Sequence, residues 1–600
     1  MKKALFPGTF ETWHKGHYDV VRRTLELFDE VVIGLGVNDD KPKPIFSIQE
    51  RMEMIKRSLA AYLGFRSRVK VVSYEGLLVN FAYKNGFTIV RGVRPDQKNV
   101  LEEIVLYQGS ETQNLPFEVL LFPARKEFSD LSSTLVKVIQ KNQGFVHEMV
   151  PLYIKQRLEG RISGQYIIGV TGEIGTGKSH ICRELEELGR KLGYPVNHIE
   201  LDHTVHKITD KTLQGEPYDQ ACAKIVETFG KEVESPDGKI NRKALGDIVF
   251  NDSEKMKQLN EILKTPMIFA LKQEIFNKKG LILINAALGP DLGLGYLYNN
   301  NTVLVSTDKA SQEKRLRERN LTEEQIKRRI QSQYNTEQKK AKIHSQISEQ
   351  KQGKLWVFNN PDGSHSSKVS RLFNNMIQYI DLDGQLRFYA LWNRIEADGT
   401  PNETYGRLLE AHNQPYRFWH TFKEHITPGL NYFPRIKRYL ENSDQYLMSL
   451  FLHDFFMAEK SRVNEERSAE MAYIICKNAL LSGDFCNGVK DNILATKHHG
   501  IPPKNDQRYL CDQDLMIFGA PEKQFDWYCY LIRREFAYEP FVRYQPGRTH
   551  VMQGFLDRAN NDNLYGTDHF RELCGPRAPI NLQREIDRIG RGIDSLQWNI

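Results

Sequence analysis

The sequence predicts a multidomain protein in which two α/β domains are followed by an all-α domain. Three observations predict it. Apolar runs such as VVIGLGV, TIVRGV and EVLLFPA alternate with helix-like segments over residues 1–150, the pattern of a parallel sheet with crossover helices. A second such pattern restarts at YIIGV and includes the buried-strand run GLILINAAL. Beyond about residue 380 the strand signals fade, and long helical segments rich in aromatics, histidine and acids take over. A single core stops growing well before 600 residues, so several domains are expected. The divisions read as 1–160, 165–380 and 385–600. The polar, glycine-bearing stretch EGRISG (Glu159 to Gly164) reads as the first linker, and the character changes again around NNPDGSHSS.

Composition narrows the function classes. A net charge of +7 over 600 residues is too small to indicate nucleic-acid or membrane binding. The seven cysteines are scattered without a Cys-x-x-Cys pair, which excludes a zinc ribbon and a disulfide framework. The N-terminal MKKALFPGTF has no long apolar run, and no stretch of about 18 apolar residues occurs. A reducing, cytoplasmic setting is therefore expected.

In the first domain, the apolar start leads into PGTFETWHKGH, Pro7 to His17. Pro7 and Gly8 end a strand, and Gly16 permits a tight approach before the helix HYDVVRRTLELF. His14 and His17 lie three apart at a helix N-terminus, where backbone N–H groups and the helix dipole favour phosphate. The plain alternative is a surface helix start with two solvated histidines. The segments FPGTF with GHYDVV, KPIFSIQERMEM, RGVR, and KEFSDLSSTLVK with NQGFVHEMVP together resemble bacterial-type phosphopantetheine adenylyltransferases over about residues 1–155. The resemblance implies a Rossmann-like nucleotidyltransferase fold. It implies that Gly8, Thr9, His14 and His17 face the nucleotide, with Thr9 and His17 on the α-phosphate and the attacking phosphate. Lys43 or Lys41 would neutralise growing charge, with Lys43 preferred. Arg91 and Arg94 would clamp phosphates, and Ser132, Ser133 and Thr134 would hold the far phosphates. The sequence departs from the family at Glu11-Thr12, where Asp-Pro is usual.

The second domain carries Gly172-Glu-Ile-Gly175-Thr-Gly177-Lys178-Ser179 between the strand-like YIIGV and the helix HICRELEELG. That context identifies a P-loop. Its backbone N–H groups cradle phosphates, Lys178 reaches the terminal ones and Ser179 binds Mg²⁺. TGEIGTGKS, HIELDHTVHKI, FGKEVESPDGKINRKALGDIVFND and RLRERNLTEEQIKRRIQSQ resemble dephospho-coenzyme A kinases over about residues 165–378. The resemblance implies that Asp202 accepts the 3′-hydroxyl proton, that Arg242 contacts the ligand, and that Arg315 and Arg319 contact phosphate from a lid. A helix N-cap is the plain alternative for Asp202. Two departures stand out: Lys264-Thr265-Pro266 where the family has His-Pro, and NAALGPDLG where it has Pro-Leu-Leu-x-Glu.

The third domain centres on His453-Asp454. His420 and His425 precede it, and His498, His499, Asp512 and Asp514 follow. Imidazoles and carboxylates converging from separate helices suit Mn²⁺, Fe²⁺, Co²⁺ or Mg²⁺. Trp419-His420 with His425, Leu452-His453-Asp454, Asn464-Glu465-Glu466-Arg-Ser468-Ala469, Thr496 with His498, Asp512-x-Asp514-Leu515, Arg534-Glu535-Phe536, Gly547-Arg548 and Ala578 to Asn581 resemble a family of predicted metal-dependent HD phosphohydrolases. The resemblance implies that His420, His453, Asp454 and Asp514 bind the metal. His425 reads as a contact behind the ligands or to phosphate. His498 and His499 read either as site residues or as polar surface. Glu465 reads as a general base or as a solvated helical charge.

Taken together, these resemblances imply coenzyme A synthesis. Adenylyl transfer from ATP to 4′-phosphopantetheine would give dephospho-coenzyme A, and its 3′-hydroxyl would then be phosphorylated by ATP with Mg²⁺. An HD phosphohydrolase acting on an unassigned phosphoester would be attached. Small molecules are the expected partners, without nucleic acid or membrane; self-association through the N-terminal domain is compatible with the reading. The alternative is a regulatory protein that senses nucleotide or coenzyme A, with transferase domains slow or inactive.

Overall fold

The computed structural model describes residues 2–597 except 37–43, 61–66, 75, 95–117, 250–251, 320–321, 332, 362–365, 459–460 and 462. The chain divides into two compact units, Met1–Lys191 with Pro195–Met376, and Leu192–Tyr194 with Ile377–Ile600. Each is described by itself. No helix among the described residues is long and apolar enough to cross a membrane.

The first unit holds two five-stranded parallel sheets. The first sheet comprises β1 (Lys3–Gly8), β2 (Glu30–Gly36), β3 (Val69–Tyr74), β4 (Thr88–Val93) and β5 (Val119–Pro123). They lie in the order β3-β2-β1-β4-β5. β1 pairs with β2 from Lys3 opposite Glu30 to Gly8 opposite Leu35. The strand order reverses between β1 and β4, so a crevice opens at their C-terminal ends. VVIGLG, TIVRGV and VLLFP fall in β2, β4 and β5 as the pattern predicts. β3 was not legible because this edge strand is only half-buried and lacks a continuous apolar run.

The second sheet comprises β6 (Gln165–Thr171), β7 (Val196–Glu200), β8 (Gly280–Asn285), β9 (Asn301–Ser306) and β10 (Lys354–Asn359), in the order β10-β9-β6-β8-β7. Every residue of β6 and β8 is buried. Strands covered on both faces must be apolar throughout, which is why YIIGV and GLILIN read as strands from sequence.

The linker expected at Glu159–Gly164 is a correction. The helix Leu152–Leu158 continues into a π-turn, Glu159–Ser163, and stops at Gly164, where φ is +67°. The segment is polar because its polar groups pair inside the protein. Lys155 and Glu159 are each 2% exposed, and their Nζ and Oε1 lie 2.6 Å apart. Asn299 completes the network: its Oδ1 accepts from Lys155 Nζ at 3.0 Å, and its Nδ2 donates to Glu159 Oε2 at 2.7 Å. On the other side, Arg161 donates to Ile45 O and Glu50 Oε1, each at 2.7 Å. The segment therefore ties the two sheets together as packed structure.

The described part of the second unit is helical, as predicted for this region. Its core is aromatic: Phe388 meets Phe451 edge-on at 5.1 Å, with Trp392, Tyr405 and Phe422 around them. Near its start the fully buried Asp381 accepts from the backbone of Leu386 and Arg387 and from Arg387 Nε, each at 3.0 Å.

Removing one partner of a buried ion pair leaves the other charge uncompensated. Lys155→Met should therefore destabilise the first unit by about 3–5 kcal/mol, and Lys155→Met with Glu159→Leu should recover much of that loss. Thermal unfolding of the single and double variants checks this; a single variant with wild-type stability would show that the network does not hold the sheets.

Candidate functional site

Three sites take shape. In the first, β1 ends at Gly8, where a Cβ would meet the Phe10 ring at 2.8 Å. Phe10 turns through φ +45° and packs on Phe6, Trp13 and His17. His14 caps the helix Lys15–Thr24, and its backbone N–H donates to His17 Nδ1 at 3.3 Å. The two rings stack with centroids 3.6 Å apart. These histidines are not the solvated pair of the plain alternative: His14 is only 6% exposed. Burial, reinforced by Arg94, pushes His14 down to about 3, and burial, His14 and Arg94 hold His17 well below the usual imidazole range. The shifts favour neutral, hydrogen-bonding rings, and Arg94 brings positive charge to them.

The remaining predicted residues surround this turn unevenly. Thr9 is exposed and its carbonyl accepts from Arg51. Arg91 Nη1 donates to Pro7 O at 3.2 Å. Ser132 caps the helix Ser133–Lys141, and Ser133 Oγ donates to Thr12 O at 3.1 Å; Thr134 is exposed on the first turn. Both candidate lysines, Lys41 and Lys43, lie outside the described residues. Glu11, at the departure from the family pattern, is engaged structurally by Ile45 N and Lys137.

In the second site the P-loop needs its glycines. Gly172, Gly175 and Gly177 have φ of +149°, +81° and +91°. A Cβ on Gly172 would lie 2.2 Å from Val305 O, and one on Gly177 2.3 Å from Asn360 Nδ2. Lys178 donates back to the carbonyls of Gly172 and Glu173 at 3.0 and 2.9 Å. Burial lowers its pKa to about 8, against the pull of Asp202. Ser179 Oγ accepts from Asn285 Nδ2 at 3.0 Å.

Asp202 is not the helix cap of the alternative reading, because Glu200 takes that position and Asp202 falls in the first turn. It is accessible to solvent, yet the surrounding protein raises its pKa, with Lys178 pulling the other way. Arg315 donates to Thr176 O and Asn360 O at 3.3 and 3.0 Å, holding the P-loop backbone. Arg242 is exposed at the start of the helix Arg242–Val249. Sequence reasoning missed Lys339. Fully buried, it donates to Ala287 O at 2.8 Å and pairs with Asp291. The altered NAALGPDLG stretch thus still supplies a carboxylate, one that meets its lysine only after folding.

The third site lies where helices of the second unit converge. His420 and His425 are five residues apart, too far for one face of an ordinary α-turn. His420 lies in a bend ahead of a π-turn, Phe422–Ile426, which carries His425; Ile426 N donates to Thr421 O at 3.3 Å. His425 Nε2 then lies 3.0 Å from His453 Nε2, 3.3 Å from Asp454 Oδ2 and 3.1 Å from Asp514 Oδ1. His425, His453 and Asp514 offer ligand atoms within 4.8 Å of one another. His425, read from sequence as a contact behind the ligands or to phosphate, lies in the middle of the cluster. His420 stands at the side, its Nδ1 2.8 Å from Glu535 Oε2.

The surroundings orient these rings. His453 Nδ1 lies 2.9 Å from Leu450 O, which leaves Nε2 facing the cluster. Glu535, 3% exposed, also accepts the backbone N–H groups of Phe418, Trp419 and His420. Arg417 holds the His-Asp dipeptide through the carbonyls of Asp454 and Phe455, at 2.6 and 3.0 Å. Imidazole nitrogens held by outer hydrogen bonds, facing two carboxylates, fit a divalent cation. Burial opposes charge on His425, but Asp454 and Asp514 prevail and raise its pKa to about 10. Burial likewise opposes charge on Asp514, and His425 and His499 hold it down at about 2.

Asp512 is occupied elsewhere, accepting from Gly566 N, Thr567 N and Thr567 Oγ1 at 2.6–2.8 Å. The Asn464–Ser468 motif clamps the loop after His453-Asp454: Asn464 bonds both backbone groups of Ala458, and Ser468 Oγ accepts from Phe456 N at 2.9 Å. Among the described residues, no hydrogen bond or ion pair ties Glu465 to the cluster; it sits on the first turn of the helix Asn464–Asn478. A cavity of about 200 Å³ adjoins His425, His453 and Asp514, walled by Trp419, Leu450, Leu510, Met516 and Ile517, with Arg577 also on its lining.

Comparison with known proteins matches residues 166–354 to the dephospho-CoA kinase family model and residues 5–139 to the cytidylyltransferase-like model. The chain thus carries a cytidylyltransferase-like domain and then a dephospho-CoA kinase domain. Among solved structures, TT1252 from Thermus thermophilus is 23% identical over 36% of this chain and 97% of its own, with a TM-score of 0.28. The NadR protein in complex with NR is 12% identical over 63% of this chain and 96% of its own, with a TM-score of 0.21.

The histidine–carboxylate cluster predicts a pH dependence of stability for the metal-free protein. The raised His425 pKa contributes fully below 6.5 and is lost as pH climbs through about 10; the lowered Asp514 pKa contributes above 3.8 and is lost as pH falls through about 2. Because the two shifts describe one interaction, its full contribution lies between 3.8 and 6.5. Unfolding midpoints measured across pH in chelator should be flatter for His425→Ala; parallel profiles would refute the coupling.

Proposed function

We propose that the chain makes coenzyme A from 4′-phosphopantetheine in two ATP-dependent steps, and that its helical region hydrolyses a phosphoester at a divalent-metal centre. The observation that carries the synthetic reading is the succession of the two domains. A dephospho-CoA kinase domain needs dephospho-coenzyme A, and adenylyl transfer by the preceding domain would supply it.

In the first step, a phosphate oxygen of 4′-phosphopantetheine attacks the α-phosphorus of ATP and pyrophosphate leaves. No covalent enzyme intermediate is required, because positioning and charge stabilisation suffice. His17 keeps Nδ1 engaged by the His14 backbone, so Nε2–H is the atom available to donate to phosphate. Arg91 and Arg94 supply the positive charge that two neutral histidines lack. In the second step, the 3′-hydroxyl of dephospho-coenzyme A attacks the γ-phosphorus of ATP and ADP leaves. Asp202 accepts the hydroxyl proton, which its raised pKa favours. Lys178 swings from its carbonyl partners onto phosphate, and Ser179 holds Mg²⁺.

At the helical site His453, Asp454 and Asp514, joined by His425 and by His420 at the side, would hold the cation, which when bound supplies Lewis acidity and an activated water. Glu535 fixes His420, Leu450 O fixes His453, and largely apolar side chains wall the adjoining cavity. Its substrate is a phosphoester.

His17→Ala should lower phosphopantetheine-dependent pyrophosphate release by at least about a hundredfold, as expected for loss of one preorganised donor. Lys178→Ala should abolish conversion of dephospho-coenzyme A to coenzyme A while leaving the first step intact. Coupled assays of both steps decide. Wild-type protein that binds both substrates without turnover would favour the sensing alternative. Loss of both steps in folded Lys178→Ala would refute the division of labour.

A further inference from the structure

We infer that the helical region carries a second small-molecule site, separate from the histidine–carboxylate cluster, and that it takes a nucleotide. This goes beyond the functions proposed above and does not rest on the metal-centre reading.

The site is a cavity of about 430 Å³ formed by the helices Pro401–His412 and Asn464–Asn478 and the loop after Asp454. It shares no lining residue with the cavity beside His425. Its volume falls in the range that holds small ligands, about 300–1,000 Å³. Arg407, Arg417 and Arg467 line it, against one carboxylate, Glu410. That balance of charge favours an anion.

The two outer arginines are held by contacts that phosphate would replace. Both residues are exposed. Arg407 Nη2 donates to Met471 Sδ at 3.3 Å, and a thioether is a weak acceptor. Arg467 lies over the Phe456 ring, with Cζ 4.5 Å from the centroid. Met471 stands four residues after Arg467, so both guanidinium groups lie over one face of the helix Asn464–Asn478. Each fork keeps its strong donors for planar, bidentate recognition of phosphate. Within the Asn464–Ala469 run, Asn464 and Ser468 clamp the loop, whereas Arg467 turns to the cavity.

Aromatic rings supply the other half of the recognition. Tyr416 stands exposed at the rim, and Phe456 forms the wall beneath Arg467. Ring faces and a guanidinium plane accept a nucleobase by stacking. Glu410, three residues after Arg407, offers an acceptor to a base amine or a ribose hydroxyl. An inorganic anion would use the arginines alone.

The floor connects this cavity to the His-Asp loop. Phe455 and the buried Arg417 form it, and Arg417 donates to Asp454 O and Phe455 O. A ligand here packs against the loop that follows His453-Asp454 and slows its opening.

The test uses the full chain in chelator, so that no Mg²⁺-dependent turnover occurs. Backbone hydrogen exchange is read by mass spectrometry with no addition, with ADP and with pyrophosphate. ADP should slow exchange in residues 401–417, 455–458 and 464–471 by at least about threefold, the factor expected with ligand at about twice its dissociation constant. Pyrophosphate at the same concentration should slow it less. Residues 172–179 report the P-loop in the same sample. Arg407→Gln with Arg467→Gln should lose the ADP effect in the helical segments and keep it at the P-loop. Helical segments that ADP leaves unchanged overturn the site. Equal slowing by pyrophosphate overturns its preference for a nucleotide. Slowing that survives in the double variant overturns the arginine assignment and marks an effect transmitted from elsewhere in the chain. If the double variant does not fold, Arg407→Gln alone, at an exposed helical position, decides by the same comparison.

Discussion

Lys155 and Glu159 lie one helical turn apart, each 2% exposed, and Asn299 joins them through both of its amide atoms. Charges cannot leave water unless a partner waits for them, so this network forms only when the segment after the first sheet meets the second. The same rule governs Lys339 with Asp291, Asp381 with Arg387, and the histidines around Asp454 and Asp514. Asp381 and Arg387 are only six residues apart, but in the other cases paired charge sits where chain segments far apart in sequence must meet in one geometry. Apolar burial supplies the drive to collapse, and these pairs select the arrangement.

Histidine shows how far surroundings decide chemistry. His14 and His17 lie among aromatic rings beside an arginine and are kept neutral. His425 is equally enclosed but meets two carboxylates, and it is driven the other way. The first pair suits contact with phosphate through a hydrogen bond; the second environment suits exchange of a proton for a cation. One residue type serves both purposes because its ordinary pKa lies close to neutrality.

Much of the architecture was legible in the sequence. Buried parallel strands announce themselves as apolar runs, and the P-loop follows from glycines whose positive φ no other residue accepts readily. His420, His453, Asp454 and Asp514 were carried over from the family resemblance; residue type alone also offered His425, His498, His499 and Asp512. What stayed hidden depends on three-dimensional pairing or on a break in helical period. Polar residues at Glu159–Gly164 looked like a linker because nothing in the sequence shows that Asn299, Ile45 and Glu50 will meet them. Glu535 stands more than a hundred residues from His420, and Asp291 and Lys339 are separated by 48 residues. His425 was read as a contact behind the ligands or to phosphate, and nothing in the sequence marks the π-turn that carries it into the cluster.

That last case turns on a single extra residue of backbone. A π-turn contains one more residue than the α-turn it replaces, so the stretch Thr421–Ile426 carries its surplus inside the helix rather than in a loop. His425 thus reaches Asp454 and Asp514 from a turn whose approach, at His420, faces Glu535 instead. For anyone scanning sequences for ligand pairs of this kind, separation is a count of turns and only indirectly of residues. A search pattern fixed at one spacing would divide proteins that share the same geometry.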